Sequence, residues 1–259
     1  MKTIIQINLA LMLAVNISGQ GSSEMRIYSG TVVYKDITEI EFNPEKMLRI
    51  ESNPGSIHES VPAGALASIP KQNTLHRLLS FNEGVSLYRT DISNENNAPN
   101  RTVISHSPTR IIFNEIRQVT FSDIKNGRLI EQKEFMGRLF LIERPLSYPD
   151  WKLTGNTLRI LGYDCQEAIC NSSGKEVTAW FSSLIPVSSG PDGYGGLPGL
   201  ILKVDVNNGE HTITAVKIES VDVENSSITA PAEGKKTTPM EFQKIVAEKM
   251  KELEKENGH

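Results

Sequence analysis

The chain has 259 residues, with 27 Lys and Arg against 31 Asp and Glu, which gives a formal net charge of -4 at pH 7. This mildly acidic balance, without a cluster of Lys and Arg, argues against a nucleic acid as partner because phosphate binding needs grouped cations. The length is ample for one large β domain with a sizeable core.

The first residues have the order of a secretory signal peptide. Lys2 precedes an apolar stretch at Ile4–Ile17, and small or polar residues follow at Ser18–Gly21. This order predicts a signal peptide over 1–20 and an exported protein, periplasmic or extracellular. The apolar stretch is too short and too polar to cross a bilayer as a stable helix, so no transmembrane segment is predicted.

Most of the remaining chain consists of short segments with alternating polarity, separated by turn residues. This pattern is typical of an antiparallel all-β domain, which we expect over 21–234. The segment Asn53–Asn73 contains three prolines and is predicted to be a loop. The predicted strands are Met25–Asp36, Leu75–Asn82, Val85–Thr90, Arg110–Asn114, Gln118–Asp123, Leu129–Phe135, Arg138–Ile142, Thr157–Cys170, Glu176–Ser182, Leu200–Val206 and Glu210–Glu219.

A Gly/Pro-rich stretch lies at the centre of this pattern. It includes a long loop, Pro186–Gly196, and then Leu-Pro-Gly-Leu, where Pro198 and Gly199 predict a type II turn with positive φ at the glycine. A strand follows, not a helix, which excludes a phosphate-binding loop. That strand ends at Asn208-Gly209, which predicts a two-residue hairpin turn. We expect the long loop to pack against the sheet, with a binding rim as the alternative.

The end of the chain is predicted to be helical, over 235–259. Thr238, Pro239 and Glu241 form a helix start signal, and apolar residues from Phe242 to Leu253 recur at helical spacing. The expected fold is therefore all-β: a single curved antiparallel sheet, an open half-barrel or bowl, with one C-terminal amphipathic α-helix on or beside it.

Several segments, in order, resemble the GLPGLI family, whose name is the hexapeptide found here at Gly196–Ile201. The other matching segments are Trp151–Thr154, Ile160–Cys165, Thr178–Phe181, Ile185–Val187 and Ser189–Pro191. The resemblance implies an exported protein of Gram-negative bacteria, in a family mostly without assigned activity. The chain is also similar to the non-catalytic bowl-shaped domain in front of certain bacterial peptide:N-glycanases, which again implies a curved antiparallel sheet.

Aromatic residues surround the Gly/Pro loop in sequence, and they define the candidate binding site. Tyr and Trp line ligand sites where one edge of the ring is polar, although core packing is their commoner role. No cofactor or metal is predicted, because no His or Cys pattern has ligand spacing. The candidate binding residues are Trp151, Tyr163, Trp180, Tyr194, Gly196, Leu197, Pro198 and Gly199. The expected function is non-catalytic binding of an apolar small molecule or of a partner protein in the cell envelope.

Two catalytic alternatives remain. A secreted hydrolase would use Ser189 with His211, and Asp192 is close in sequence, although serines in such loops are usually turn formers. A thiol-redox protein would use Cys165 and Cys170. In a regular strand these cysteines lie roughly 16 Å apart on opposite faces. A disulfide, which needs Cα atoms about 4.4–6.8 Å apart, would require a sharp bend near Glu167. Two separate thiols are the competing interpretation.

Overall fold

The computed structural model describes residues 26–39, 71–91, 103–106, 109–112, 118–223 and 228–256. The predicted signal peptide and most of the predicted loop at 53–73 lie outside these residues. The strands are β1 (Gly30–Glu39), β2 (Gln72–Phe81), β3 (Val85–Thr90), β4 (Val103–His106), β5 (Thr109–Ile112), β6 (Gln118–Asp123), β7 (Arg128–Phe135), β8 (Arg138–Pro145), β9 (Lys152–Ile160), β10 (Tyr163–Ser172), β11 (Lys175–Ser182), β12 (Leu200–Val206), β13 (His211–Ser220) and β14 (Lys235–Thr237). A helix, α1, spans Pro239–Glu256.

Twelve of these strands form one sheet that does not close into a barrel. Its order is β14-β8-β7-β6-β3-β2-β1-β13-β12-β11-β10-β9, and β4 pairs with β5 in a separate ladder. The neighbours are antiparallel except for β14, which pairs with β8 in parallel. The expected all-β class and open sheet are confirmed, whereas the purely antiparallel arrangement is wrong at this edge.

Some strand boundaries differ from the prediction. The predicted strand Thr157–Cys170 is two strands, because the chain reverses at Leu161-Gly162 between β9 and β10. Both turn residues have positive φ, 51° and 87°, as tight hairpins require. A leucine is uncommon at such a position, which is why the turn was missed. The start of β2 also falls inside the predicted loop, at Gln72.

The sheet curls around the Gly/Pro loop. A Cβ on Gly190 would lie 2.8 Å from Ile201 Cβ on β12, and one on Gly193 would lie 3.3 Å from Leu129 Cδ1 on β7. These strands are six places apart in the sheet, which would separate them by about 29 Å if it were flat. Three residues of chain span at most about 11 Å. The strands must therefore curve toward the loop, and we call the face that carries the loop the concave face.

The main core lies between the loop and the concave face. It joins buried side chains of β1–β3, including Tyr88, and of β9–β13 to Ile185, Val187 and Leu197 of the loop. A second, smaller core lies on the opposite, convex face, where Phe121, Ile130 and Leu141 pack with Ile228. Because side chains alternate along a strand, the neighbours of these convex residues on β6 and β7 point to the concave side.

The C-terminal helix begins at the predicted start signal, at Pro239, whereas the first residues of the predicted helical segment 235–259 form β14. Glu241 accepts a hydrogen bond from the Thr238 backbone N–H at 2.9 Å, and Thr238 Oγ1 accepts one from the Glu241 N–H at 3.2 Å, which is a capping box. The ring of Phe242 packs edge-on against Phe135 and Phe140, with centroids 6.3 and 5.2 Å apart. No helix in the described ranges is long and apolar enough to cross a membrane.

Candidate functional site

The Gly/Pro loop, Ser183–Gly199, lies on the concave face and is fixed there by hydrogen bonds. Ser189 Oγ donates to Ser86 Oγ on β3 at 2.8 Å, and the Ile201 N–H donates to the Ser189 carbonyl at 2.9 Å. The Leu200 N–H donates to the Ile185 carbonyl at 2.9 Å. The expected packing of the loop against the sheet is confirmed. The loop fills the apolar part of the concave face.

The glycines of the hexapeptide are required for two different reasons. A Cβ on Gly199 would lie 2.2 Å from the Ser182 carbonyl oxygen, so only glycine fits. The Gly199 φ is not positive, and its N–H donates to the Leu197 carbonyl, two residues back, at 2.8 Å. The predicted type II turn is therefore a tighter γ-turn about Pro198. The positive φ belongs to Gly196, at 86°, against the ring of Tyr148.

Four of the predicted binding residues come together at this loop. Trp151 Nε1 donates to the Gly195 carbonyl at 2.8 Å, and its ring lies 6.4 Å from that of Tyr194. Leu197 is buried in the core, beside Gly196. In this arrangement the aromatic rings fasten the loop to the sheet. Of the others, Tyr163 packs against the same core and Pro198 is exposed.

Trp180 lies apart from this group, because its position on β11 faces the convex side. It lines a shallow groove of about 200 Å³ with polar neighbours. The other lining residues are Glu167, Glu176, Thr178, Lys203, Asp205 and Asn208. The predicted binding residues are thus divided between two faces of the sheet.

The predicted Ser–His pair is not formed. Ser189 is 3% exposed, and its hydroxyl donates to Ser86. His211 instead hydrogen-bonds through Nε2 to Asp36 Oδ1 at 2.7 Å. The hairpin before His211 also differs from the expected two-residue turn, since Val206 pairs with His211 across four residues.

The two cysteines lie on one face, which corrects the prediction of opposite faces. The register of β10 against β9 shifts between Gln166 and Ala168, and this bulge sits at Glu167, where a bend was required. Cys165 and Cys170 are therefore both buried in the main core, as free thiols. Burial raises the pKa of both, that of Cys165 to about 11, which disfavours the reactive thiolate. No metal-binding cluster of His, Cys, Asp and Glu is found in the described ranges.

A second part of the concave face carries polar side chains and adjoins the main core at Tyr88. They come from neighbouring strands β13, β1, β2, β3, β6 and β7 and from the tip of the loop. We call this surface the polar patch. It consists of Asp36, Arg77, Tyr88, Thr90, Gln118, Thr120, Glu131, Lys133, Asp192 and His211.

Ion pairs compensate two carboxylates of the polar patch. Asp36 lies 3.6 Å from Arg77 Nε and 2.7 Å from His211 Nε2. The hydrogen bond from Asp36 raises the pKa of His211, and desolvation opposes it. Glu131 lies 2.8 Å from Lys133 Nζ and 3.4 Å from Arg144 Nε. Each of these two carboxylates therefore has two cationic partners.

Asp192 differs from the other carboxylates of the patch. Its exposed side chain accepts a hydrogen bond from Gln118 Nε2 at 2.8 Å and makes no ion pair within the described residues. Desolvation at the loop tip raises its pKa to about 6, opposed mainly by the charge of Lys133. The residue itself lies in the left-handed region, with φ 50°. This is a carboxylate held at the loop tip over the polar patch.

Tyr88 is paired in register with Thr120, which lies under Gly193 of the loop tip. Tyr88 is 4% exposed, and its hydroxyl has no hydrogen-bond partner among the described residues. Burial raises its pKa first of all, and then the charges of Asp36 and Asp192 raise it further. The hydroxyl is therefore within the electrostatic field of both carboxylates.

Sequence reasoning did not find the polar patch, although β1 carried a signal for it. Val32, Tyr34 and Asp36 alternate on one face of that strand, and the first two are fully buried. An acidic residue at the next core-facing position needs a partner in the fold. Its partners, Arg77 and His211, are distant in sequence.

Part of the chain that contains the Gly/Pro loop matches a known family model. Residues 170–203 match the family model described as "Protein of unknown function (Porph_ging)". The matched segment runs from the end of β10 through the Gly/Pro loop into β12, and so contains the hexapeptide. This match is consistent with the GLPGLI resemblance. No match was found among curated proteins.

The fold is similar to that of PNGF-II, a peptide:N-glycanase. The structure in space group P21 has a TM-score of 0.53 at 15% identity, covering 84% of this chain and 33% of that one. The structure in space group C2 has a TM-score of 0.52 at 15% identity, with coverage of 84% and 32%. This chain thus spans about a third of the length of PNGF-II, and the likeness concerns the fold.

Proposed function

We propose that the protein is an exported, non-catalytic binding or accessory protein of the GLPGLI type, acting in the cell envelope through its polar patch. The observation that carries the proposal is the divided concave face. The Gly/Pro loop fills the apolar part, while the part on β2, β3, β6 and β7 carries polar side chains, some of them buried. A curved surface with convergent polar groups is typical of ligand sites.

The division of the face also favours a polar ligand or partner over the apolar one expected from the sequence. The apolar side chains nearest the loop already pack against Ile185, Val187 and Leu197. The accessible groups beside them are charged or hydrogen-bonding, such as Asp192 and Lys133. In this proposal Trp151, Tyr194 and the hexapeptide hold the loop that forms one wall of the site.

The likeness to a third of PNGF-II supports an accessory role in one respect. It indicates that this fold occurs as part of a longer chain, where it accompanies other segments. The hydrolase alternative has weaker support, because Ser189 and His211 are hydrogen-bonded to other residues. Substitution of Ser189 by Ala, with retention of the cellular phenotype, would remove it.

The groove beside Trp180 is a second candidate for the binding site. The ring of Trp180 lies there among carboxylate, amide and lysine side chains. Together these groups could hold a polar ligand on the convex face. It is shallow, whereas the polar patch lies in the hollow of a curved sheet. The two candidates are on opposite faces, so variants can separate them.

The proposal is tested by purifying the mature protein from its native envelope fraction and identifying copurifying molecules by mass spectrometry. Lys133→Glu changes the polar patch at a partly exposed position, and Trp180→Ala changes the convex groove. We expect the amount of the copurifying molecule to change with Lys133→Glu and to be unchanged with Trp180→Ala. The reverse pattern would place binding on the convex face, and a protein that is always empty would count against a carrier.

A further inference from the structure

We infer that the polar patch binds an organic ammonium group, with Asp192 as its carboxylate partner. This inference rests on the proposed function of the concave face and names the chemistry of its ligand. The first observation concerns the ion pairs of the carboxylates in the polar patch. Asp36 and Glu131 each have two cationic partners within the chain, whereas Asp192 has the amide of Gln118 and no ion pair in the described ranges.

The second observation is an unsatisfied hydroxyl on β3, opposite the β6 residue that lies under the loop tip. Buried hydroxyl groups almost always have a hydrogen-bond partner. Tyr88 Oη has none among the described residues, although Tyr88 is 4% exposed and lies in the field of Asp192. Thr120 Oγ1 is similarly buried without a partner, under Gly193 of the loop tip. These two oxygens are buried acceptors that the described residues leave unpaired, on neighbouring strands, with Thr120 beneath the loop tip.

The chemistry of these groups selects a cationic donor. An ammonium carries three N–H donors and no acceptor, so it matches a carboxylate oxygen and two hydroxyl oxygens. An anionic ligand would face three carboxylates, those of Asp36, Glu131 and Asp192. The cations that face Asp192 are engaged elsewhere: Lys133 with Glu131, and Arg77 and His211 with Asp36. The free carboxylate is accessible because the Asp192 side chain is exposed.

The experiment uses the mature protein and two probes, n-butylammonium and N-acetyl-lysine methylamide, measured by NMR titration at pH 7.5. The matched uncharged probe is N-acetyl-norleucine methylamide. We expect the charged probes to bind and the uncharged one to fail. A preference for the lysine derivative over butylammonium would indicate a peptide as the source of the ammonium, and the opposite order a free amine.

Variants then locate the site. Asp192→Asn is expected to weaken binding by about tenfold, the size of a lost hydrogen bond to a charged group, and Tyr88→Phe by a smaller factor. Asp164→Asn, on an exposed position of β10, is the control and should bind as the wild type does. Circular dichroism checks that each variant is folded. Equal binding by Asp192→Asn, or by the uncharged probe, would overturn the inference.

The outcome also separates this inference from the proposed function. A copurifying molecule that depends on Lys133, together with no binding of either ammonium probe, would contradict the ammonium inference and leave the concave site in place. Binding of the probes with unchanged affinity in Lys133→Glu and Asp192→Asn would contradict both.

Discussion

The Tyr34 hydroxyl donates a hydrogen bond to the Ile201 carbonyl at 2.6 Å, and this bond links two strands that are not neighbours. Tyr34 lies on β1 and Ile201 on β12, with β13 between them. The bond is possible because the first residues of β12, which are the last two of the hexapeptide, lie before the segment paired with β13. The tyrosine thus connects the middle of the sheet directly to the end of the Gly/Pro loop.

Removal of this hydroxyl should destabilise the fold. Tyr34 is fully buried, so Tyr34→Phe leaves a buried carbonyl without its partner, which costs about 1–3 kcal/mol. The free energy of unfolding is measured by urea titration. Tyr28→Phe is the control, because that side chain is 47% exposed and should change stability little. Equal effects of the two substitutions would show that the bond contributes nothing.

A methyl group at Gly199 should be much more harmful than one at Gly84. The Gly199 Cβ would lie 2.2 Å from the Ser182 carbonyl oxygen, a backbone atom that moves only with β11. We expect Gly199→Ala to cost about 3 kcal/mol or more, or to prevent folding. The Gly84 Cβ would meet only the Asn82 side chain at an ordinary 3.7 Å. Urea titration and yield compare them, and a Gly199→Ala protein of unchanged stability would contradict this account.

Local chemistry explains why much of the fold could be predicted from the sequence. Alternating apolar residues gave the strands of the sheet, and the pattern Thr238-Pro239-Met240-Glu241 gave the helix start, because each depends on residues close in sequence. The γ-turn about Pro198 has a tighter geometry than predicted. That geometry depends on Ser182, which approaches Gly199 only after β11 and β12 have paired.

The polar patch could not be predicted in the same way. Its members meet through strand register and through the curl of the sheet, so Asp36 reaches a histidine 175 positions away. The face of Cys165 relative to Cys170 was mispredicted for a related reason. The pairing of β10 with β9 is irregular at Glu167, where the strict alternation of faces is interrupted, and nothing in the residues around Glu167 marks it.

The two cysteines should react slowly with a thiol reagent in the folded protein. Cys165 is fully buried and Cys170 nearly so, and burial raises the pKa of both thiols. We expect slow labelling by DTNB at pH 8 and rapid labelling of two thiols in denaturant. An intact mass two daltons lower, with no labelling in denaturant, would instead establish a disulfide and revive the redox alternative.

His211 should make stability depend on pH above neutrality. Its folded pKa is raised above the ordinary 6.5, first by the hydrogen bond to Asp36. The stabilisation is therefore fully present below pH 6.5 and is lost as pH rises through the folded pKa. The difference in unfolding free energy between wild type and His211→Gln should shrink over this range. A difference that stays constant from pH 5.5 to 9 would mean that the Asp36 contact does not favour the charged imidazole.

Asp192 should make stability depend on pH in a lower range than His211 does. Because desolvation disfavours its charged form, substitution of Asp192 should remove a loss of stability. Its carboxyl ionises near 3.8 when unfolded and near 6 when folded. Between these values the folded state binds more protons, so wild-type stability falls as pH rises from about 4 to 6. Asp192→Asn lacks this loss, and its stability relative to wild type should rise over the same interval and stay constant above it.

Urea titrations at pH 4, 5, 6 and 7 measure the difference, with Asp164→Asn as control. A constant difference between wild type and Asp192→Asn would show that the loop tip leaves this carboxylate fully hydrated. A rising difference would mean that the fold keeps a destabilising charge over the polar patch, as expected of a residue retained for binding.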